Sequence, residues 1–242
     1  MPKTKLSLVL PIHNQGSFIQ VVVAEIVKVL DSTRLSFEII LVENGSTDHT
    51  YSVLQNMAEN DPRMKLIVAS QGYGSAIIAG LGHSEGEWVS YMPSDGQISA
   101  SVLVELIREM QLEQFDVVKI RRISRESQVR FIRSKVFNIL GNLIFGRLPV
   151  LDINGSPRIF KREGLRILKL SFKDSFIDVE FARKAKYLKW KIKEVPAETL
   201  PRAGGKSTVS FKTVIEFLRN MIQYRLNFDF ELWKKKIQQS EK

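Results

Sequence analysis

The chain has 242 residues, 44% of them hydrophobic, enough to bury a substantial core in one large domain. It holds no cysteine, which excludes disulfides and thiolate-bound metal and agrees with a reducing compartment. The net charge of +10 hides a division: residues 1–118 carry 7 Lys and Arg against 14 Asp and Glu, net −7, and residues 119–242 carry 29 against 12, net +17. The second half is therefore the one suited to meet an anion.

LSLVLPI (6–12) and FEIILVEN (37–44) are β-branched, nearly all-apolar runs of strand length, the pattern of parallel strands covered on both faces. A helical pattern over 17–30, with Ser17 as expected N-cap, lies between them and makes a βαβ unit. The first strand begins so early that no leader is expected ahead of it. The alternation continues with a helix over 48–60, a strand over 64–69, a helix over 75–85, a strand over 88–92, a helix over 99–111 and a strand over 116–121. Such alternation predicts an α/β protein with a mostly parallel central sheet and helices on both faces.

Beyond residue 121 the pattern changes. Residues 129–148 place Ile132, Val136, Ile139, Leu140 and Leu143 at helical spacing, with Arg130, Arg133 and Lys135 near one end. That helix suits either packing on the sheet or an interface with anionic headgroups. Its longest apolar stretch, 136–146, is too short and too interrupted to span a bilayer. A turn, short strand and helix start follow over 152–165, a helix over 178–190 and a strand over 191–198. Residues 211–242 predict a closing helix and basic tail, so 1–210 is expected as the main domain and 211–242 as a basic helical extension.

In an open parallel sheet, ligands bind beyond the carboxyl ends of the strands, where helix N-termini also point. Three polar clusters fall there: Pro11, His13, Asn14 and Gln15; Glu43 to Asp48; and Ser94 to Gln97. Each has a plain explanation as well. GSTD (45–48) is what a tight turn into a helix requires, with Gly45 for positive φ and Ser46 or Thr47 as cap, and PSDG (93–96) is a good turn. QGYGSAIIAG (71–80) misses the dinucleotide-binding spacing, and Gly72 and Gly74 can simply let a loop pass near the sheet.

The order and spacing are more specific than any single cluster. LPIHNQ, VENGSTDHT, GYGSAIIAGL, EWVSYMPSDGQ, DINGSPRIF, DVEFARKA, EVP and PRAGGKST together resemble the family-2 glycosyltransferases of the GT-A fold, over roughly residues 5–210. The likeness is greatest to the branch of dolichol-phosphate mannosyltransferase and other polyprenol-phosphate glycosyltransferases. It implies a nucleotide-diphosphate sugar donor, Mg²⁺ or Mn²⁺ as cofactor, and transfer with inversion. Asp95 and Gln97 match the family's metal segment, with Pro93 in place of its first aspartate. Pro11, His13, Gln15, Val42, Glu43, Asn44 and Ser94 match its donor-binding stretches, although Gln15, Glu43 and Asn44 replace acids usual there.

On the phosphate side, the resemblance implies roles for Arg121 and for Arg202, Lys206 and Ser207 of the glycine loop. Asp178 matches the acceptor-side acid, with Glu180 beside it; at helical i, i+2 spacing at most one of the two faces the sugar. A polyprenyl phosphate is the acceptor that the resemblance favours, other acceptors remaining open; with the expected lack of a leader and of a spanning stretch, a cytoplasmic protein is expected, which reaches such an acceptor at an anionic membrane surface by its basic half or through a partner. Two alternatives stand beside it. One is a weakened GT-A protein that binds a nucleotide sugar or scaffolds a partner without turnover. The other is a nucleic-acid binder using the basic half, for which no stacking pattern of aromatic and basic residues speaks.

Overall fold

The computed structural model describes residues 4–124, 127–204, 211–226 and 229–240. Strands β1 (Leu6–Ile12) and β2 (Phe37–Glu43) enclose helix α1 (Ile19–Ser32) in the chain. The alternation runs on through α2 (Thr50–Asn60), β3 (Met64–Val68), α3 (Tyr73–Gly82), β4 (Trp88–Tyr91), α4 (Val102–Gln111) and β5 (Val117–Arg122). Then come α5 (Gln128–Phe145), β6 (Arg158–Lys161), α6 (Glu163–Leu168), α7 (Ile177–Tyr187) and β7 (Ile192–Ala197). Two helices, α8 (Phe211–Leu226) and α9 (Asp229–Ser240), stand where one closing helix and a tail are expected.

The strands form one sheet in the order β3-β2-β1-β4-β6-β5-β7. Every pairing is parallel except those of β6, which runs antiparallel to β4 and β5. The sheet is thus mostly parallel, as the sequence predicts. Successive strand residues point to opposite faces, and β1 and β2 are buried along their whole length. Leu6, Leu8, Leu10 and Ile12 enter the core under α1, α2 and α4. Val9, Ile40 and Val42 enter the opposite core under α3, α6 and α7.

Helix starts differ from expectation in one respect. α1 begins at Ile19 and α2 at Thr50, and the residues before them, Phe18 and His49, make no side-chain cap. Ser17, Ser46 and Thr47 therefore do not cap these helices. The Asp48 carboxylate does that work at α2, accepting the Thr50 amide at 2.9 Å and the Thr50 hydroxyl. Its acidity is raised, because these bonds and the Gly16 amide outweigh the opposing effect of desolvation.

α5 shows two faces. Phe137, Leu140, Ile144 and Phe145 turn inward to a third core, shared with Phe176, Val179 and Ala182 around α7 and with Met221, Tyr224, Phe230 and Trp233 of the last two helices. The rest of the expected stripe lies outside: Ile132 is 59% exposed, Val136 48%, Ile139 58% and Leu143 74%. Among the described residues no helix is long and apolar enough to cross a membrane. The expected domain boundary near 210 falls outside the described residues.

α3 lies hard against the sheet because Gly80 has no side chain. A Cβ there would sit 2.3 Å from Val9 Cγ1 and 2.9 Å from Val42 Cγ2, whereas a Cβ at Gly82 meets nothing within 4 Å. Overpacking a core costs about 1–3 kcal/mol, more than the ~1 kcal/mol that alanine gains over glycine in a helix. Gly80→Ala is expected to lower the melting temperature and Gly82→Ala to leave it level or raise it, as calorimetry would read; a Gly80→Ala chain melting above the parent would contradict this packing.

Candidate functional site

A cavity of about 600 Å³ opens beyond the carboxyl ends of β1, β2 and β4. Pro11, His13, Asn14, Gln15 and Phe18 line it from the first strand end, Asn44 from the second, and Pro93, Ser94 and Asp95 from the fourth. Gln71, Gly72 and Tyr73, at the start of α3, form another wall, and Arg202 and Gly204 close it from the far end of the chain. The three polar clusters of the sequence do converge.

Hydrogen bonds across strand ends fix this rim. Ser94 Oγ donates to the Pro11 carbonyl at 2.6 Å. His13 Nδ1 donates to the Asn44 carbonyl at 2.9 Å, leaving Nε2 to accept from the side-chain Nδ2 of Asn14 at 3.3 Å. Asn14 has φ +52, a left-handed conformation that asparagine tolerates, and its Oδ1 accepts the Thr47 amide at 2.8 Å. The Asn44 side chain accepts the Gly72 amide at 2.9 Å, joining β2 to α3. Gln15 keeps its Oε1 buried and without a hydrogen-bond partner.

Several expected site residues stand elsewhere. Val42 is fully buried core. Glu43 is 6% exposed, and its carboxylate accepts the amides of Gly45 and Ser46, so it shapes the GSTD turn rather than facing the cavity. Arg121, the next-to-last residue of β5, is half-buried and does not line the cavity; its Nε is buried without a partner. Its neighbour Arg122 is paired with Asp152 through two nitrogens, each at 2.9 Å. Lys206 and Ser207 lie outside the described residues.

Asp178 also departs from expectation. It is 2% exposed, receives the Tyr91 hydroxyl at 2.9 Å and pairs with Arg158 Nη2 at 2.9 Å. Arg158, fully buried on the antiparallel strand β6 opposite Tyr91, lies over the Tyr91 and Phe181 rings and donates to the carbonyls of Ile153 and Gly155. Asp178 thus lies beneath the cavity, committed to two partners. Glu180 is likewise committed, to Ser171, the Phe172 amide and Lys184. Close by, Lys119 donates to the carbonyls of Ile120 and Asp152 and to Glu194. Burial, then the charge of Arg158, pushes the Lys119 ammonium down to about 8 against the pull of Glu194 and Asp152.

Asp95 is the one carboxylate on the cavity wall among the described residues. Its Oδ1 accepts the Gln97 amide at 3.2 Å and its Oδ2 lies 3.5 Å from Arg202 Nη2. Gln97 itself does not line the cavity, and its carbonyl accepts the Leu200 amide at 2.8 Å. No group of three or more His, Asp or Glu among the described residues is placed to hold a metal. A lone carboxylate fits a cation that arrives with phosphate oxygens and water, as Mg²⁺ commonly does, and not a site built by protein alone.

Sequence reading missed Phe18 and Tyr73 as cavity residues. Tyr73 is the first residue of α3, and the helix start after β3 is the signal that marks it. Burial, then the nearby Asp178 charge, pushes the pKa of its hydroxyl far above the usual tyrosine range.

The sequence profile described as Glycosyl transferase family 2 matches residues 7–168. A protein named as a glycosyltransferase, CsbB of Bacillus subtilis, is 26% identical over 220 residues, covering 90% of this chain and 65% of the relative. The undecaprenyl-phosphate 4-deoxy-4-formamido-L-arabinose transferase of Salmonella choleraesuis is 25% identical over 229 residues, 91% of this chain and 67% of the relative. The chain spans between about half and two thirds of the length of such relatives. Among solved structures, glucosyl-3-phosphoglycerate synthase of Mycobacterium tuberculosis with Mn²⁺, UDP-glucose and phosphoglyceric acid superposes with a TM-score of 0.69 at 19% identity. That match covers 93% of this chain and 80% of the other, and carries the GT-A fold.

Removing one member of a buried ion pair strands the other, at about 3–5 kcal/mol. Arg158→Met is expected to cost that much in urea unfolding, and adding Asp178→Asn should recover part of it. A single-variant cost under about 1 kcal/mol would show that the pair does not hold this region.

Proposed function

The chain belongs to glycosyl transferase family 2, and we propose that it is an inverting glycosyltransferase moving a sugar from a nucleotide-diphosphate donor to a polyprenyl phosphate. One observation carries the choice of acceptor: among the described residues the cavity wall holds a single carboxylate, Asp95, which this reading commits to the cation. With Asp95 serving the cation, no second carboxylate of the described wall is left to take a proton, and Asp178, off the wall, is held by Tyr91 and Arg158. A hydroxyl acceptor needs a group to take its proton, whereas a phosphate acceptor arrives as an anion and needs none. The Salmonella relative, named for an undecaprenyl-phosphate substrate, supports the same class.

In this reading the nucleoside lies against His13, Gln15 and Asn44, with Pro11 and Ser94 forming the floor. Gln15 Oε1, buried and unpartnered, accepts an N–H or O–H from the donor. Asp95, and Gln97 if its side chain turns in, would hold Mg²⁺ or Mn²⁺ with the diphosphate; the ion supplies positive charge for the departing phosphates. Arg202 stands at the same point of the wall, and with Lys206 and Ser207 of its loop it binds the diphosphate. Arg121, at the end of β5 and off the cavity wall, adds positive charge on the phosphate side. Asp178 positions Tyr91 and Arg158 and takes no proton.

The acceptor class gives α5 a task. Ile132, Val136, Ile139 and Leu143 form an exposed apolar row at helical spacing. Arg133, Lys135 and Arg147 are exposed alongside, so the helix can rest its apolar row at the headgroup boundary of an anionic membrane. The enzyme then reaches its lipid acceptor from the membrane surface.

Two measurements test this. Incubation with a panel of UDP-, GDP-, CMP- and dTDP-sugars, Mn²⁺ and vesicles containing undecaprenyl phosphate is expected to yield a labelled glycolipid; donor binding without any transfer would favour the weakened-protein alternative. Ile139→Asp with Leu143→Asp should reduce vesicle binding and transfer to the long-chain lipid at least tenfold while sparing transfer to a short soluble analogue. Equal loss on both acceptors would place α5 in the fold or the active site.

A further inference from the structure

We propose that Asp95 and Arg202 form an exchangeable latch, in which each is the other's counter-ion until a divalent cation takes the carboxylate and a diphosphate takes the guanidinium. The inference rests on the reading of the cavity as a nucleotide-sugar site. The two side chains are brought together by backbone, not by their charges. The Ala203 amide donates to the Asp95 carbonyl at 3.0 Å and the Leu200 amide to the Gln97 carbonyl at 2.8 Å. Gly96, with φ +73, leaves so little room that a Cβ there would lie 2.9 Å from Ala203 Cβ. The loop bearing Arg202 is therefore held against the Asp95 turn whether or not the ion pair forms.

The ion pair itself is loose. Its atoms are 3.5 Å apart, with the Arg202 side chain 26% exposed and that of Asp95 15%. Arg158 and Asp178, at 2.9 Å and almost wholly buried, make a lock by comparison. A partly exposed pair is cheap to exchange, and a guanidinium binds phosphate oxygens through two parallel donors more strongly than it binds one distant carboxylate oxygen. Because a cation and Arg202 compete for Asp95 Oδ2, metal binding releases Arg202 toward phosphate, and phosphate binding to Arg202 releases Asp95 toward metal. Pro93 fits this arrangement: with no second acid at the turn, a single guanidinium can neutralise the site.

The latch gives each residue an effect opposite in sign to that of a plain ligand. Titration calorimetry of the full chain with UDP and with inorganic pyrophosphate, in chelator, reads the guanidinium. Asp95→Asn is expected to tighten metal-free binding of both probes by about twofold to fivefold, the range an exposed pair carries, while abolishing the enhancement by Mn²⁺. Titration with Mn²⁺ alone reads the carboxylate, and Arg202→Gln is expected to tighten it by a similar factor while weakening pyrophosphate. Unchanged or weaker metal-free binding in Asp95→Asn, together with unchanged Mn²⁺ affinity in Arg202→Gln, overturns the latch and leaves the donor-site reading intact. Failure of the parent chain to bind either probe, with or without Mn²⁺, overturns the donor-site reading itself.

Discussion

β1 pairs in parallel with β2 on one side and β4 on the other, so three strand ends reach the same edge of the sheet and each delivers a polar loop there. Side chains then stitch the loops together, Ser94 to the Pro11 carbonyl and His13 to that of Asn44. The full burial of β1 and β2 makes a slip of register costly, because one residue of slip would turn Leu8 and Leu10 into the opposite core. The geometry of the cavity therefore inherits the rigidity of the most buried part of the molecule.

Beneath the cavity lies a group of buried charges: Lys119, Arg122 and Arg158 against Asp152, Asp178 and Glu194. Opposite charges are matched one to one, which limits the penalty of removing them from water. Arg158 Nε and Nη1 make no hydrogen bond among the described residues, and the guanidinium lies over the Tyr91 and Phe181 rings, a weaker substitute. The contrast with Asp95 and Arg202 is functional. A deep, balanced group holds shape, whereas a shallow pair at the wall is free to change partners.

Much of this was legible from residues alone. β-branched runs and their spacing mark the parallel strands, and polar clusters at their ends mark the cavity. What escaped depends on contacts across the chain. Asp178 and Glu180 carry no local sign that Arg158 and Lys184 will claim them, since the first pairing exists only because β6 runs antiparallel to β4. Glu43 looks like a free acid until the turn behind it folds and donates two amides. α5 offers an apolar row whose outward direction is decided by which residues the C-terminal helices cover.

Hydrogen exchange of the full chain, with and without a tight-binding nucleoside diphosphate and Mn²⁺, reads the central claim directly, since it reports protection segment by segment. The convergence of strand ends predicts slower exchange in four stretches, 11–16, 44–50, 71–76 and 93–97, with little change over 128–145. Protection confined to other segments, such as the groove between α1 and α2, would contradict it.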